Sequence, residues 1–245
     1  MTEYDLIARG YSNSKRLPFR DHVERYTLLQ TLGNVRGARV LDLACGDGFY
    51  TRLIKKAGAL SVTGVDLSSE IIRLAEENER RQPVGYSYVR ADAADFRPDQ
   101  PVDLVVAAYL LNYAHTQAEL IRFCRVCSGV LRPGGRFVGV NDNPHLPPDG
   151  SVSYLKYGFD RRCDQIPPHD GDLIRYTFPT ADGSSFGFTN YYYSVGTYES
   201  AFREAGFRKL RWVPVTLDPA QTGDVFWDDF MRHPPIVGFS ADLEA

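Results

Sequence analysis

Asp42, Gly46, Asp47 and Gly48 fall within one short run, DLACGDG, at residues 42–48, and Asp66 follows 20 positions after Gly46. Glycines at such a turn let the backbone approach a ligand closely, and a carboxylate at that separation, ending the next strand, accepts hydrogen bonds from ribose hydroxyls. A ribose-bearing ligand is therefore expected, and two chemistries satisfy it. A dinucleotide would lay its pyrophosphate on the turn. However, Thr51 stands where G-x-G-x-x-G has its third glycine, and Asp42 and Asp47 would crowd the phosphates with like charge. S-adenosylmethionine carries the ribose and adenine without a phosphate and adds a sulfonium and an ammonium. Beside those cations the acidic loop becomes an attraction, and a carboxylate at its start can hold the ammonium directly or through water.

Other constellations carry less chemistry. The histidines are His22, His115, His145, His169 and His233, none with a partner at metal-ligand spacing, so no metal is expected. His22 and His115 are the ones weighed as bases, against the commoner fate of a lone histidine as a satisfied surface residue. Cys124 and Cys127 make a C-x-x-C inside a helix with no second pair, which argues against zinc or redox work. The YSNSK run at Tyr11 to Lys15 copies the Tyr-x-x-x-Lys of short-chain dehydrogenases but precedes the glycine turn, which is the wrong order.

A glycine turn of this kind belongs at the carboxyl end of a buried strand, where open α/β sheets bind ligands. ARVLDLA (38–44) reads as that strand. FYTRLIKKAG (49–58) has helical spacing at Phe49, Leu53, Ile54 and Ala57, with Lys55 and Lys56 near the negative dipole end and Gly58 as a left-handed cap. SVTGVDL (61–67) is a second strand, and Ser68 caps the helix after it. GYSYVRADA (85–93) and VDLVVAAYLL (102–111) are the third and fourth. Thr116 and Glu119 form a capping box opening a helix over 117–130, and RFVGVN (136–141) is the fifth strand. With FRKLRWVPVTL (207–217) and PIVGFSADL (235–243) added, this predicts a doubly wound, Rossmann-like, seven-stranded, mostly parallel sheet of the α/β class.

One domain is expected over 1–245. Residues 1–35 form an N-terminal helical cap with helical spacing over 18–33, and 36–141 the cofactor-binding core. Residues 142–196 are a substrate-side insertion holding an antiparallel hairpin over 172–194, and 197–245 supply the last helix, capped by Thr197, and the late strands. Hydrophobic content of 43%, charged content of 24% and a net charge of −3 give no reason to expect nucleic acid or an anionic membrane as partner. The N-terminus lacks the basic-then-apolar pattern of a signal peptide, and the most apolar stretch, 102–114, is too short to span a bilayer and contains Asp103 and Asn112. A cytoplasmic location is the expectation, and the oligomeric state is left open.

VLDLACGDG resembles motif I of the class I S-adenosylmethionine-dependent methyltransferases. GVDLS (64–68) resembles their acidic motif II, RADAADF (90–96) their adenine loop, VDLVVAAYLLNYAH (102–115) motif IV, and LRPGGRF the turn before strand five. The resemblance implies S-adenosylmethionine as cofactor and S-adenosylhomocysteine as product. It places Asp42, Ala44, Gly46, Gly48 and Ala108 along the cofactor, Asp66 and Leu67 at the ribose, and Asp92 and Ala93 at the adenine amino group. Tyr11 would close over the methionine part and Arg20 would pair with its carboxylate. The chain is also similar, over most of its length, to the toxoflavin-biosynthesis N-methyltransferases, from YDLIARGYSNSK to YYYSVGTYESAFREAGF. That likeness implies methyl transfer to ring nitrogens of a small planar azapteridine, one enzyme serving two positions.

Methyl transfer is an in-line displacement that asks for alignment and exclusion of water. The groups above the sulfonium should come from the ends of strands four and five and from the hairpin. Tyr109, Tyr113 and Asp142 are the catalytic candidates; Tyr109, Tyr113, Asn141, Asp142, Tyr191 and Tyr193 are the substrate-binding ones, with aromatic rings suited to a flat ligand. Most of the 15 tyrosines and 14 phenylalanines must be core residues. The competing readings are a methyltransferase for another small aromatic or amine, a nicotinamide-dependent oxidoreductase, and a non-catalytic module that keeps the nucleotide pocket.

Overall fold

The computed structural model describes residues 14–146, 151–180 and 183–244. A short π-helical turn, Arg20–Glu24, runs into α1 (Arg25–Leu32), which buries Leu28 and Leu32 and stops at Gly33, whose φ of 61° suits glycine. Beyond it, β1 (Arg39–Leu43) buries all but its first residue. A strand without a polar face needs cover on both sides, which helices over a parallel sheet provide. Then follow α2 (Phe49–Lys56), β2 (Ser61–Asp66), α3 (Ser69–Arg81), β3 (Ser87–Arg90), β4 (Val102–Ala108), α4 (Gln117–Val130) and β5 (Leu131–Asp142). The remainder comprises β6 (Asp160–Cys163), β7 (Leu173–Pro179), β8 (Ser185–Tyr191), α5 (Val195–Glu204), β9 (Phe207–Val213), α6 (Asp228–Arg232) and β10 (Ile236–Leu243).

Seven strands lie in the order β3-β2-β1-β4-β5-β10-β9. Neighbours among β1 to β5 are parallel, and β10 runs antiparallel to both β5 and β9. The order reverses between β1 and β4, so the crevice of an open α/β sheet lies over their carboxyl ends. Alternate residues feed opposite layers: Val40, Leu104 and Val106 enter one buried cluster, Leu41, Leu43 and Val105 the other. No helix of the described residues is long and apolar enough to cross a membrane.

The predicted hairpin after β5 is β7 and β8, but a third strand joins it: β6 pairs with β7 to make a separate antiparallel sheet. Its sequence, DRRC, offers no apolar alternation, and only Arg161 is buried. Tyr176, Phe178 and Phe188 of this sheet pack with Phe159 in the same cluster as Phe19 of the N-terminal segment.

Two capping assignments shift. Ser194, not Thr197, caps α5, accepting from the Thr197 amide, because the helix begins at Val195. Thr116 does accept from the Glu119 amide, but Glu119 reaches the amide of His115 rather than that of Thr116. Ser68 caps α3 as predicted, accepting from Ile71.

Candidate active site

The loop between β1 and α2 turns through left-handed residues at Ala44 (φ 55°), Gly46 (φ 58°) and Gly48 (φ 79°). Gly48 is needed for packing as well as for φ: a Cβ there would lie 1.6 Å from the Tyr88 hydroxyl. Asp66 ties this loop to the next one, accepting from the Gly46 and Ser68 amides at 3.0 Å each. A carboxylate has about four lone-pair sites, so acceptor capacity is left for ligand hydroxyls. Burial raises the Asp66 pKa; the Ser68, Gly46 and Leu67 amides and the charge of Lys15 oppose the rise.

The two loop carboxylates are handled differently. Asp42 is 1% exposed and accepts from the Thr51 hydroxyl at 2.6 Å. Burial pushes its pKa up to about 7, with Thr51 and Lys15 working the other way. Asp47 accepts from the Phe49 amide at 3.3 Å and so sits at the positive end of α2.

A cleft of about 290 Å³ opens over these strand ends. Ala44, Asp66, Leu67, Asp92, Ala93 and Ala108, all predicted cofactor residues, line it, as do Tyr113 and Tyr191. Ile71, Leu110, Phe123, Thr189 and His115 complete the wall. The lining holds two carboxylates and, among the described residues, no lysine or arginine. Small alanines beside apolar Leu67 and Phe123 suit an adenine; Asp66 suits a ribose; the charge suits a cation rather than a pyrophosphate. The lining therefore fits the adenosine and sulfonium parts of S-adenosylmethionine; Asp42, Gly46, Gly48 and Arg20 lie outside it.

Tyr11 lies outside the described residues. Arg20 is 3% exposed and donates to Glu24 Oε2 at 2.6 Å. Glu24, fully buried, also accepts from the Tyr50 and Tyr109 hydroxyls. The Arg20 guanidinium lies 5.2 Å from the Tyr109 ring centre, and the Lys15 ammonium 5.9 Å from it. A protein carboxylate thus already engages the arginine expected to meet the cofactor's carboxylate. In the sequence, Glu24 carries no signal beyond its place four residues after Arg20, on the same helical face.

Tyr109 follows β4 with φ 75°; among the described residues only it and Ala44 are non-glycines with positive φ. Such strain gathers at functional sites. Burial first, then the Glu24 charge, hold its phenol far above the usual range, so it acts as a neutral donor. Tyr113, in the short 3₁₀ turn Leu110–Tyr113, lines both the cleft and a second, enclosed pocket of about 10 Å³. Phe19, Arg20, Tyr109, Tyr176, Phe178, Phe188 and Asn190 also line that pocket.

The other predicted substrate residues are dispersed. Asn141 donates to the Tyr198 hydroxyl at 2.9 Å, against α5, and lines neither space. Asp142 accepts from the Tyr176 hydroxyl at 2.6 Å and from Asn190 Nδ2 at 3.1 Å, linking β5 to the small sheet. Burial raises its pKa, while the Arg161 charge and those two donors oppose the rise. Tyr193 donates to the Ala114 carbonyl at 3.0 Å and is 2% exposed. Tyr191 is at the cleft, stacked on His115 with ring centres 4.7 Å apart. His22 instead contacts Asp218 at 3.0 Å and lines neither space. Cys124 and Cys127 are fully buried free thiols in α4.

Residues 40–135 match the sequence model of a family described as "Methyltransferase domain". The chain is 27% identical over 188 residues, 77% of each chain, to N-demethylindolmycin N-methyltransferase of Streptomyces griseus. It is 30% identical over 119 residues to a ubiquinone biosynthesis O-methyltransferase of Bordetella pertussis, a match spanning 47% of this chain and 48% of that relative. The fold superposes on a solved S-adenosylmethionine-dependent methyltransferase of Clostridium acetobutylicum with a TM-score of 0.70 at 16% identity, covering 97% of this chain and 99% of the other.

Proposed function

We propose that this chain, a class I S-adenosylmethionine-dependent methyltransferase, methylates ring nitrogens of a small planar heterocycle of the azapteridine type, a toxoflavin precursor, serving two nitrogens in turn. The observation that carries the reading is the aromatic pocket set against the cleft across a shared Tyr113. The pocket's rings are stacked on one another, Tyr176 and Phe188 with ring centres 5.4 Å apart at 19° and Phe178 and Phe188 5.4 Å apart at 29°, so a flat, polar-edged ligand would meet them edge-on from the cleft. Further support comes from the relative in Streptomyces griseus, which is by name an N-methyltransferase. The azapteridine itself rests on the resemblance in the sequence.

When bound, S-adenosylmethionine supplies a methyl group on a cationic sulfur and leaves as S-adenosylhomocysteine. The chain's part is to hold and align. Asp66 and Leu67 take the ribose, Asp92 and Ala93 the adenine edge, and Ala44, Gly46, Gly48 and Ala108 let the ligand lie close to the backbone. Asp42 supplies negative charge for the ammonium through the loop, and Arg20, with Tyr11, takes the carboxylate by sharing its Glu24 bond. Tyr109 and Tyr113 orient the acceptor ring and exclude water. An N–H in an electron-poor ring is acidic enough to dispense with a strong base, which agrees with an Asp142 whose two oxygens are already engaged.

A second reading, transfer to an oxygen rather than a nitrogen, draws on the match to the ubiquinone biosynthesis relative, by name an O-methyltransferase. Turnover with labelled cofactor across azapteridine lactams, indole-type amines and phenols separates them. Methylated azapteridine is the expected product; turnover of phenols alone would overturn the proposal.

A further inference from the structure

Asn190 is 1% exposed on β8, between Thr189 and Tyr191. Those two neighbours line the large cleft, whereas Asn190 lines the aromatic pocket with Tyr109, Tyr113, Tyr176 and Phe188. Strand alternation enforces the split, because successive side chains leave opposite faces. Tyr191, one of the predicted substrate-binding tyrosines, therefore faces the cleft, and the asparagine beside it faces the rings.

The amide of Asn190 is used on one side only. Nδ2 donates to Asp142 Oδ2 at 3.1 Å, while Oδ1 has no hydrogen-bond partner among the described residues. A buried carbonyl oxygen without a donor has lost its water and gained nothing, a situation folded proteins avoid. Turning the amide over does not relieve it. Oδ1 would then face Asp142 Oδ2, oxygen against oxygen, while the other carboxylate oxygen accepts from the Tyr176 hydroxyl at 2.6 Å. Asp142 thus fixes the amide with its oxygen left over.

We propose that Asn190 is a substrate-reading residue: its Oδ1 accepts a hydrogen bond from a ring or lactam N–H of the planar acceptor, and Asp142 is the positioning residue that sets the amide. The inference rests on the planar-heterocycle reading and narrows it. The substrate must present a donor on the edge that enters the aromatic pocket, so a heterocycle whose N–H positions are all blocked is rejected. The pocket's volume of about 10 Å³ is room for about one water-sized group, so only the N–H itself would enter, with the ring on the cleft side of Tyr113.

Calorimetric titration of the full chain saturated with S-adenosylhomocysteine tests this, with pteridine-2,4-dione and its N,N′-dimethyl derivative as probes. The native chain is expected to bind the N–H form at least about tenfold more tightly. Asn190→Leu should bring the two probes to near equality while leaving S-adenosylhomocysteine affinity unchanged, and Asp142→Asn should narrow the gap. If Asn190→Leu does not bind S-adenosylhomocysteine, Asn190→Ser replaces it under the same criteria. A variant that keeps the full preference, or a native chain that binds both probes equally, overturns the assignment alone. A native chain that binds neither overturns the substrate class and the assignment with it.

Discussion

The Thr51 hydroxyl donates to Asp42 at 2.6 Å, at the position where a dinucleotide-binding turn would carry its third glycine. A hydroxyl stands there in place of empty space, and its partner is the buried carboxylate whose pKa burial pushes up to about 7. The substitution and the acid therefore form one unit, suited to a cation.

That unit predicts a pH dependence. A cationic ligand favours ionised Asp42, which is half protonated near pH 7 in the free protein. S-adenosylhomocysteine, which keeps the ammonium, should bind more tightly as pH rises from 6 to 8, by no more than about tenfold per pH unit. Asp42→Asn should flatten the profile, and Thr51→Val should move it to higher pH by removing the donor that favours the anion. Calorimetry across pH reads both. Stability runs the opposite way. The folded pKa lies above the ordinary carboxylate value, so the folded chain holds the extra proton; its stability contribution is full below about pH 4 and is lost as pH rises through about 7. Asp42→Asn should raise the melting temperature at pH 8.

On the proposed role of Asp66 as the ribose acceptor, Asp66→Ala should weaken S-adenosylhomocysteine binding by about 10- to 100-fold. The same change frees the Gly46 and Ser68 amides, so Asp66→Asn, which retains one acceptor oxygen, should fall in between. Unchanged affinity in both variants would remove Asp66 from the site.

Gly48→Ala should cost about 2 kcal/mol or more, because it combines a left-handed φ of 79° with a Cβ placed on Tyr88. Urea denaturation of Gly48→Ala, Tyr88→Ala and the pair together should show non-additivity, the steric part vanishing once the ring is gone.

Glu24→Gln keeps the shape but removes the buried charge that partners Arg20 and accepts from two tyrosines. A loss of about 3 kcal/mol is expected on denaturation. A change within about 0.5 kcal/mol would mean that the cluster is not held by that carboxylate.

The parts of the fold legible from sequence were those governed by short-range rules. Continuous apolar runs marked the central strands, and Ser68 and Thr116 marked helix starts through their own hydrogen bonds. Six of the residues expected at the cofactor line one cleft, whereas Arg20, Asp42, Gly46 and Gly48 do not; the spacing from Gly46 to Asp66 that singles out the region is a local property of one βαβ unit. The substrate side depends on pairing between distant segments. Whether Asn190 or Tyr191 faces the rings is decided by the β7–β8 register, which pairs Ile174 with Asn190. Strand alternation carried through the three tyrosines puts Tyr191 and Tyr193 on one face, but β8 ends at Tyr191. Glu24 and Asp142 likewise acquire partners 85 and 48 residues away, beyond any periodicity.

The position of the transferred methyl tests the central claim most directly. Incubation with S-adenosylmethionine labelled with ¹³C at its methyl group and an azapteridine lactam, followed by long-range carbon–proton correlation spectroscopy, identifies the atom that receives it. Label is expected on ring nitrogen, first at one position and then at a second. Label found only on oxygen or carbon, or no transfer by a chain that binds S-adenosylhomocysteine, would contradict it.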